Sequence, residues 1–410
     1  MSEQIAEVFL HGKLVGLLSI TDDYARYSFV DAYLGQPNRP VLGLRFEEDI
    51  HASSRANMRL PPWFSNLLPE GRLCELIAQQ NGVSPKREAQ LLCVIGHDLP
   101  GAVTVRLKND ISGNRASMSR REQLFTPVGE TSGLWKFSLA GVALKFSVVR
   151  QAERFTIPGT DDRGGNWIIK LPDANHADVP QNEFAMMSLA SAVGLNVPEI
   201  QLVSRDSLPT LPDSFWPRGS NTAFAIKRFD RDCNRVPVHM EDFAQVRGVW
   251  PDAKYLASFE TVAAICYRGR DREALMEFTR RLVFNVLIGN GDAHLKNWTL
   301  LYVDQRKPTL SPAYDLVSTI PYSVNEDIGL KWRGGKRFDD VTLASFDVLA
   351  KRLGVLDLSL ADLARELLER VRAEWSRRCG DLIENTTLRT QITSHIDAQV
   401  RRLLLPRFPG

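Results

Sequence analysis

The stretch GNGDAHLKNW, residues 289–298, is the most informative part of the chain. It follows the apolar run LVFNVLI at 282–288, which closes a segment with the hydrophobic period of a helix. It precedes the run WTLLY at 298–302, which is typical of a short strand. We therefore expect a cluster of polar side chains to be held at a corner between a helix and a strand.

Asp292 and Asn297 stand five positions apart in this stretch, and Asp315 follows the next short strand. Carboxylate and amide oxygens on adjacent loops suit a magnesium ion that also binds the phosphates of a nucleotide. The remaining aspartate could accept a hydroxyl proton, or orient that hydroxyl for in-line attack. The Asp–Asn pair alone favours ordinary turn capping, so the nucleotide-site hypothesis also depends on Asp315 and on two upstream lysines.

These lysines lie on predicted strands. Lys170 ends an apolar strand, where a phosphate-contacting lysine is expected, and Lys145 lies in another strand. Glu183 could pair with Lys170, although a helix-start glutamate favoured by the helix dipole is the alternative. The segment SLAGVALK at 138–145 could cradle phosphate oxygens with its backbone N–H groups, but it lacks the spacing of a P-loop.

Composition excludes several classes of protein. The chain has 410 residues, 44% hydrophobic and 24% charged, which is typical of a globular protein and not of a disordered one. The 51 Lys and Arg balance 49 Asp and Glu, which argues against a polybasic nucleic-acid binder but leaves room for a local basic patch. The five cysteines form no CxxC pair, so neither a zinc site nor a disulfide framework is predicted.

The chain also shows no pattern of export or membrane insertion. The N-terminal sequence lacks the basic and apolar regions of a signal peptide. The densest apolar runs fall well short of the roughly 20 residues that a membrane span needs. We expect a cytoplasmic protein without a membrane partner.

Hydrophobic periodicity predicts an α+β protein, strand-rich in its first half and helical in its second. Strands are predicted at 5–10, 14–18, 27–30, 41–46, 101–105, 135–138, 144–149, 167–171 and 223–229, with a small hairpin at 298–302 and 308–310. Helices are predicted from about residue 71 and at 85–95, 183–193 (with Asn182 as N-cap), 256–266, 274–288, 343–353, 360–379 and 386–404. The polar segment 108–133 is predicted to be a linker.

This pattern favours three units: a β-rich N-terminal subdomain at 1–112, an N-lobe with the nucleotide-binding loop at 113–238, and an all-helical C-terminal lobe at 239–410. The loops with Asp292, Asn297 and Asp315 belong to the third unit. Protein kinases likewise separate their base aspartate from their metal asparagine by a step of five positions, then supply a metal aspartate after a hairpin. Here the loop reads Asn-Gly-Asp rather than His-Arg-Asp, and the second motif reads Asp-Leu-Val rather than Asp-Phe-Gly.

Seven motifs, taken in order, resemble the HipA family, the serine/threonine-kinase toxins of bacterial type II toxin–antitoxin pairs. They are WFSNLLPEG at 63–71, SLAGV at 138–142, IIKLP at 168–172, NE at 182–183 with GLNVP at 194–198, KRFDR at 227–231, GDAHLKN at 291–297 and PAYDL at 312–316. The resemblance covers nearly the whole chain. It implies a two-lobed protein-kinase-like fold behind a small N-terminal subdomain, with ATP and Mg2+ as cofactors.

The resemblance also implies roles for individual residues. Asp292 matches the family's catalytic aspartate, Asn297 and Asp315 its metal positions, and Lys170 its phosphate-contacting lysine. The other implied nucleotide-site positions are Ser138, Ala140, Gly141 and Lys145, the backbone of Lys227 and Phe229 as an adenine-binding hinge, and His294 and Lys296 in the catalytic loop. Ser138 also matches a serine that such kinases autophosphorylate, and the added negative charge would repel ATP.

The family's protein substrates are aminoacyl-tRNA synthetases, and its partner is a small helix-turn-helix antitoxin, HipB-like, that binds operator DNA. The sequence departs from the family at 142–145, which reads VALK where Ala-Gln-Glu-Lys is usual. An alternative is therefore a weakly active or inactive kinase-like module that acts mainly in an antitoxin–DNA repressor complex. A metal-dependent phosphohydrolase using the same carboxylates is a third possibility.

Two further hypotheses concern partner surfaces, and for each of them an ordinary structural role is favoured. Basic clusters could contact phosphates in such a complex, but a solvated surface is favoured for each; they are Lys331, Arg333, Lys336 and Arg337, and the pairs Arg377–Arg378 and Arg401–Arg402. Trp63, Phe64 and Leu67 could form a partner surface, but a buried core is favoured.

Overall fold

The computed structural model describes residues 3–21, 24–108, 144–151, 154–156, 164–172, 176–322 and 327–404. In these residues the strands, numbered β1 to β15, are Gln4–Leu10, Lys13–Ile20, Tyr24–Phe29, Ser54–Asn57, Val103–Leu107, Lys145–Gln151, Arg154–Thr156, Trp167–Lys170, Ile200–Ser204, Thr222–Lys227, His239–Asp242, Thr299–Tyr302, Thr309–Leu310, Asp327–Trp332 and Gly335–Arg337. The α-helices, numbered α1 to α12, are Asp31–Leu34, Leu44–Glu48, Pro62–Ser65, Gly71–Gln80, Glu88–Ile95, Val179–Ala192, Phe243–Arg247, Phe259–Tyr267, Arg272–Ile288, Leu343–Leu353, Leu360–Leu382 and Thr386–Leu404.

Residues 3–108, which we call the N-terminal module, form an antiparallel sheet in the order β4-β3-β2-β1-β5 together with α1 to α5. The predicted hairpin of β1 and β2 is confirmed, and its turn places Gly12 in the left-handed region at φ +75°. Trp63, Phe64 and Leu67 are buried in the module's core. These three side chains therefore pack internally, as the favoured interpretation predicted.

A second antiparallel sheet, in the order β7-β6-β8-β10-β9, lies between two hydrophobic cores. Successive side chains of a strand point to opposite faces. On β10, Ala223 and Ala225 belong to the core shared with the N-terminal module, whereas Phe224 and Ile226 belong to the core shared with the helices. This alternation fixes the sheet between the module and the helical lobe, with α6 packed on the helical side.

Helix α9 is the centre of the C-terminal lobe and contacts α8, α11 and α12. It is buried along its last two turns and ends at Gly289, whose φ is +68°. A Cβ atom at this glycine would lie 2.3 Å from Ile320 Cγ1, so both the backbone angle and the space require glycine. The chain therefore turns sharply out of α9 into the polar loop.

The two-lobed α+β fold agrees with the prediction, but the C-terminal lobe is not all-helical. It also carries the sheet β11-β12-β13 and the hairpin β14-β15. Strands β12 and β13 correspond to the predicted hairpin, whereas β11, β14 and β15 were missed. All three are short. β11 pairs with a strand distant in sequence, and β14 pairs with β15 in a tight hairpin, so the hydrophobic period alone does not reveal them.

Two local predictions are wrong. Residues 41–46 do not form a strand, because Glu241 of β11 accepts the Leu44 N–H at 2.8 Å and helix α2 begins there. Asn182 is not an N-cap, because α6 begins at Val179 and the Asn182 side chain is wholly buried against Ser318.

The predicted linker beyond residue 108 and the predicted strand at 135–138 lie outside the described residues, and the three-unit division stays a prediction. Among the helices of the described ranges, none has the length and apolar character needed to cross a bilayer.

Candidate active site

The loop after α9 is held by its own asparagine and by a neighbouring threonine. The Asn290 side chain donates to Asn285 Oδ1 at 2.8 Å and accepts the Asp292 N–H at 3.1 Å. The Gly291 N–H donates to Thr319 Oγ1 at 2.8 Å. These bonds fix the backbone while the Asp292 residue itself stays exposed to solvent. The carboxylate of Asp292 is therefore accessible to a large substrate.

Asp292 is contacted by a tyrosine from another segment. The Tyr255 hydroxyl donates to Asp292 Oδ1, and the Tyr255 ring lies edge-on to the His294 ring with 5.1 Å between centroids. Burial and the hydrogen bond to Asp292 raise the pKa of Tyr255, so its hydroxyl remains a donor. Burial also lowers the pKa of His294 to about 4, which keeps the imidazole neutral near pH 7. Asp292 thus has a neutral donor and a neutral ring beside it.

Lys145 and Lys170 face each other in the antiparallel pair of β6 and β8. Like charges directly opposite in a sheet repel, so this pairing needs a compensating anion. Asp315 supplies it: Lys170 Nζ donates to Asp315 Oδ1, and Lys145 Nζ lies 3.9 Å from Asp315 Oδ2. Glu183 of α6 accepts a second hydrogen bond from Lys170. Four charged side chains from strands, a helix and a loop therefore meet in one cluster.

The charge states of this cluster follow from its geometry. Burial acts to raise the pKa of Asp315, but Lys145 and Lys170 outweigh burial and hold that pKa well below its usual range. Burial acts to lower the pKa of Lys170, but Asp315 and Glu183 outweigh it and raise that pKa. For Lys145 burial prevails and its pKa is lowered. Asp315 is consequently an anion at every pH near neutrality.

Asn297 completes the cluster from the loop after α9. Its Nδ2 donates to Asp315 Oδ2 at 3.2 Å, and its Oδ1 accepts the His294 N–H at 2.9 Å. Asp315 has a φ of +54°, in the left-handed region that non-glycine residues rarely adopt, although aspartate tolerates it better than most. Such backbone strain is concentrated at functional sites, where it sets the direction of a side chain.

The donor set fits magnesium bound together with a nucleotide. Asp315 offers an ionised carboxylate, and the Asn297 amide oxygen keeps a second lone pair beside its bond to His294. In the part of the chain that the structure describes, no group of three or more His, Cys, Asp and Glu side chains could hold a metal. A magnesium ion that takes one or two protein ligands and completes its shell with phosphates and waters needs no such group.

The remaining predicted site residues do not all lie in this cluster. The Phe229 ring lies 5.4 Å from the Tyr314 ring, next to Asp315. Lys227 is exposed, and its Nζ donates to Glu199 Oε2 at 3.2 Å. Lys296 is buried, with its ammonium group against the N-terminal module. Ser138, Ala140 and Gly141 lie outside the described residues.

Sequence reasoning missed Tyr255, which contacts Asp292, and it missed Asn66 and Glu70, which contact Lys296. Asn66 and Glu70 belong to the quoted motif at 63–71, in which only the apolar positions received an interpretation. Tyr255 belongs to no motif and meets Asp292 only through the tertiary fold.

Comparison with known proteins identifies the family. The model of the HipA N-terminal domain matches residues 6–106, and that of the HipA-like C-terminal domain matches residues 137–375. The chain belongs to the HipA family. The resemblance stated from seven motifs is thereby confirmed, and this HipA-family chain is related to kinase toxins of toxin–antitoxin systems.

Individual relatives span the whole chain or its larger part. A Sinorhizobium fredii protein named "Putative kinase Y4dM" is 40% identical over 401 residues, covering 95% of this chain and 96% of that protein. The serine/threonine-protein kinase toxin HipA of Shewanella oneidensis is 26% identical over 293 residues, covering 63% of this chain and 62% of the toxin. A chain in the solved Shewanella oneidensis complex of HipA, HipB and operator DNA has the same fold, with a TM-score of 0.71, 20% identity and 97% coverage of both chains.

Proposed function

We propose that this HipA-family chain is a protein serine/threonine kinase that uses ATP and Mg2+. The observation that supports this most is the double contact of Lys170 with Glu183 and Asp315, with Asn297 on the other oxygen of Asp315. Protein kinases need this combination, in which a strand lysine is paired with a helix glutamate and a metal aspartate and asparagine lie opposite.

In this proposal each residue has a distinct task. Asp292 accepts the proton of the substrate hydroxyl or orients that hydroxyl toward the γ-phosphate. Lys170 and Lys145 stabilise the negative charge of the phosphates. Asn297 and Asp315 would hold Mg2+, which neutralises charge on the phosphate oxygens when bound. The protein contributes positioning and preorganised charge, with little covalent chemistry of its own.

The finer assignments depend on the family relationship. We propose that the backbone of Lys227 and Phe229 holds the adenine, that Ala140 and Gly141 belong to the phosphate-binding loop, and that Ser138 is an autophosphorylation site. His294 supports the catalytic loop as a neutral ring. The proposed protein substrate is an aminoacyl-tRNA synthetase, and the proposed role is that of the toxin in a toxin–antitoxin pair.

The kinase proposal is tested by incubating the purified chain with labelled ATP, Mg2+ and candidate synthetases. Wild type is expected to label a synthetase or Ser138, and Asp292→Asn is expected to reduce the rate by roughly 10²- to 10⁴-fold, the usual contribution of a general base. Asp357→Asn is the matched control, since Asp357 is exposed and pairs with Arg272 on the surface. Labelling that survives Asp292→Asn would refute the assignment of Asp292.

A second candidate is a kinase-like module that acts mainly by binding an antitoxin and operator DNA. The supporting observation is that the Shewanella oneidensis HipA of the same fold assembles with HipB and operator DNA. Titration calorimetry separates the two candidates. Magnesium-dependent ATP binding supports the kinase, whereas its absence together with binding of a helix-turn-helix antitoxin supports the module. Steady nucleotide hydrolysis without protein labelling would instead indicate a phosphohydrolase.

A further inference from the structure

The ammonium group of Lys296, one residue before Asn297, points into the N-terminal module. Its Nζ donates to the Asn66 carbonyl oxygen at 3.1 Å and to Asn66 Oδ1 at 3.2 Å, and it pairs with Glu70 Oε1 at 3.1 Å. Two hydrogen bonds to Asn66 and one ion pair with Glu70 therefore hold the ammonium group. Only 5% of the Lys296 side chain is exposed, so the contact is an internal one. The catalytic loop is thus bound directly to a domain far from it in sequence.

Glu70 also binds a second lysine of the same region. Its Oε2 accepts from Lys254 Nζ at 2.8 Å. The Lys254 carbonyl in turn accepts the Leu295 N–H of the catalytic loop at 3.2 Å. Lys254 directly precedes Tyr255, whose hydroxyl reaches Asp292. One carboxylate of the N-terminal module therefore connects the segment that carries Tyr255 with the loop that carries the proposed catalytic and metal residues.

The electrostatic balance around Glu70 explains why this contact is firm. Burial acts to raise the pKa of Glu70, but Lys296 and Lys254 outweigh burial and lower it, so the carboxylate stays ionised. The two lysines are themselves nearly buried, with 5% and 10% of their side chains exposed. Removing the charge of Glu70 would leave two ammonium groups close together in a poorly solvated place, with Asp242 as a more distant anion at 3.8 Å from Lys296.

We infer that Glu70 is a positioning residue for the catalytic loop, which makes the N-terminal module a working part of the active site. Glu70 contacts no reacting atom and acts through Lys296 and Lys254. This inference rests on the proposed kinase function for its effect on rate, but the effect on the loop is independent of catalysis. It also assigns Lys296 to anchoring the loop, because its ammonium group is buried and bonded to Asn66 and paired with Glu70 within the protein.

The first test compares Glu70→Gln with wild type in the full chain by steady-state phosphorylation. Misplacement of the loop is expected to lower kcat by roughly ten- to a hundredfold. The KM for ATP should stay within about twofold, because Asp315 and Glu183 act on Lys145 and Lys170 more strongly than Glu70 does, and uniform substrate binding is retained. Glu70→Asp keeps the charge and should recover part of kcat.

Glu88→Gln is the matched control. Glu88 accepts the Leu60 N–H at 2.8 Å and the Ser65 hydroxyl at 3.0 Å, so its bonds stay within the N-terminal module. A variant that merely weakens the module should resemble Glu88→Gln. Equal kcat values for Glu70→Gln and Glu88→Gln would overturn the inference on rate.

Hydrogen exchange measured by mass spectrometry supplies a readout that needs no activity. Peptides covering 292–298 should exchange faster in Glu70→Gln than in wild type, and at the wild-type rate in Glu88→Gln. Unchanged exchange in Glu70→Gln would overturn the positioning role. If wild type itself transfers no phosphate while Glu70→Gln still loosens the loop, the kinase proposal fails and the positioning role stands.

Discussion

Replacing Asp315 by asparagine should cost the protein stability as well as activity. The substitution keeps the shape of the side chain but removes the anion between Lys145 and Lys170. It also creates a hydrogen-bonding conflict. An asparagine has one oxygen, so if that oxygen serves Lys170, its NH2 group meets the NH2 group of Asn297, which is 3.2 Å from Asp315 Oδ2.

The size of the effect follows from burial. Removing one partner of a buried ion pair costs about 3–5 kcal/mol, and we expect the lower figure, about 3 kcal/mol, because Glu183 still pairs with Lys170. The side chain of Asp315 is also 26% exposed, which moderates the loss. For a chain of 410 residues that unfolds as one unit, with an unfolding entropy of about 2.1 cal/mol/K per residue, about 3 kcal/mol lowers the melting temperature by roughly 3–4 °C.

The assay is thermal unfolding followed by calorimetry at pH 7.5 without nucleotide, with Asp357→Asn as the control. Adding Lys145→Met to Asp315→Asn removes one of the two ammonium groups that face each other while keeping most of its apolar stem, so the double variant should melt above the single one. A single variant that melts at the temperature of Asp357→Asn, or a double variant that melts lower still, would refute the reasoning.

The pH dependence gives an independent check. The pKa of Asp315 is held below its usual range, mainly by Lys145 and Lys170 against the effect of burial, so its contribution to stability is present above the unfolded pKa of about 3.9 and is lost as the pH falls. The difference between wild type and Asp315→Asn should therefore narrow as the pH is lowered from about 5 towards 3.

Three further substitutions test other parts of the structure. Burial raises the pKa of Glu241 to about 7, so between about pH 5 and 7 the folded state holds a proton that the unfolded state has released. The free energy of unfolding should therefore fall as the pH rises from about 5 to 8, and Glu241→Gln should flatten that slope in urea titrations. Tyr255→Phe removes the donor to Asp292 and should lower kcat about fivefold, the value of one partly exposed hydrogen bond, and an unchanged kcat would contradict the contact. Asn182→Ala leaves the Ser318 N–H and C=O without partners and should cost about 2–3 kcal/mol in chemical denaturation.

Much of the fold could be predicted because its signals are local. The β1–β2 hairpin, the strand β8 and the helix α9 each carry their hydrophobic period within a single run of sequence. The lysine cluster could be proposed for a related reason. A lysine at a strand end and a glutamate in the next helix lie close once the helix packs on the sheet, and Lys170 and Glu183 do so.

The rest of the site depends on contacts between distant segments, which no local period encodes. Tyr255 meets Asp292 across 37 positions, Lys254 meets Glu70 across 184, and Lys296 meets Asn66 across 230. The same reason explains the missed strand β11, which pairs with β12 across the helices α7 to α9. The contacts of Lys254 and Lys296 depend on how the N-terminal module docks on the helical lobe. The contact of Tyr255 and the pairing of β11 depend on how the lobe itself folds.

The two partners of Lys170 are unequal, and in the proposed kinase this inequality has a use. Glu183 has 6% of its side chain exposed and comes from a helix packed on the sheet, whereas Asp315 has 26% exposed and comes from a loop. A nucleotide phosphate would compete for Lys170 with the more accessible carboxylate. Glu183 would keep Lys170 in place while the phosphate replaces Asp315 as its partner. The Asp315 oxygen released from Lys170 would then be available to the metal. The cluster can therefore exchange one ion pair for another while the sheet and α6 stay fixed.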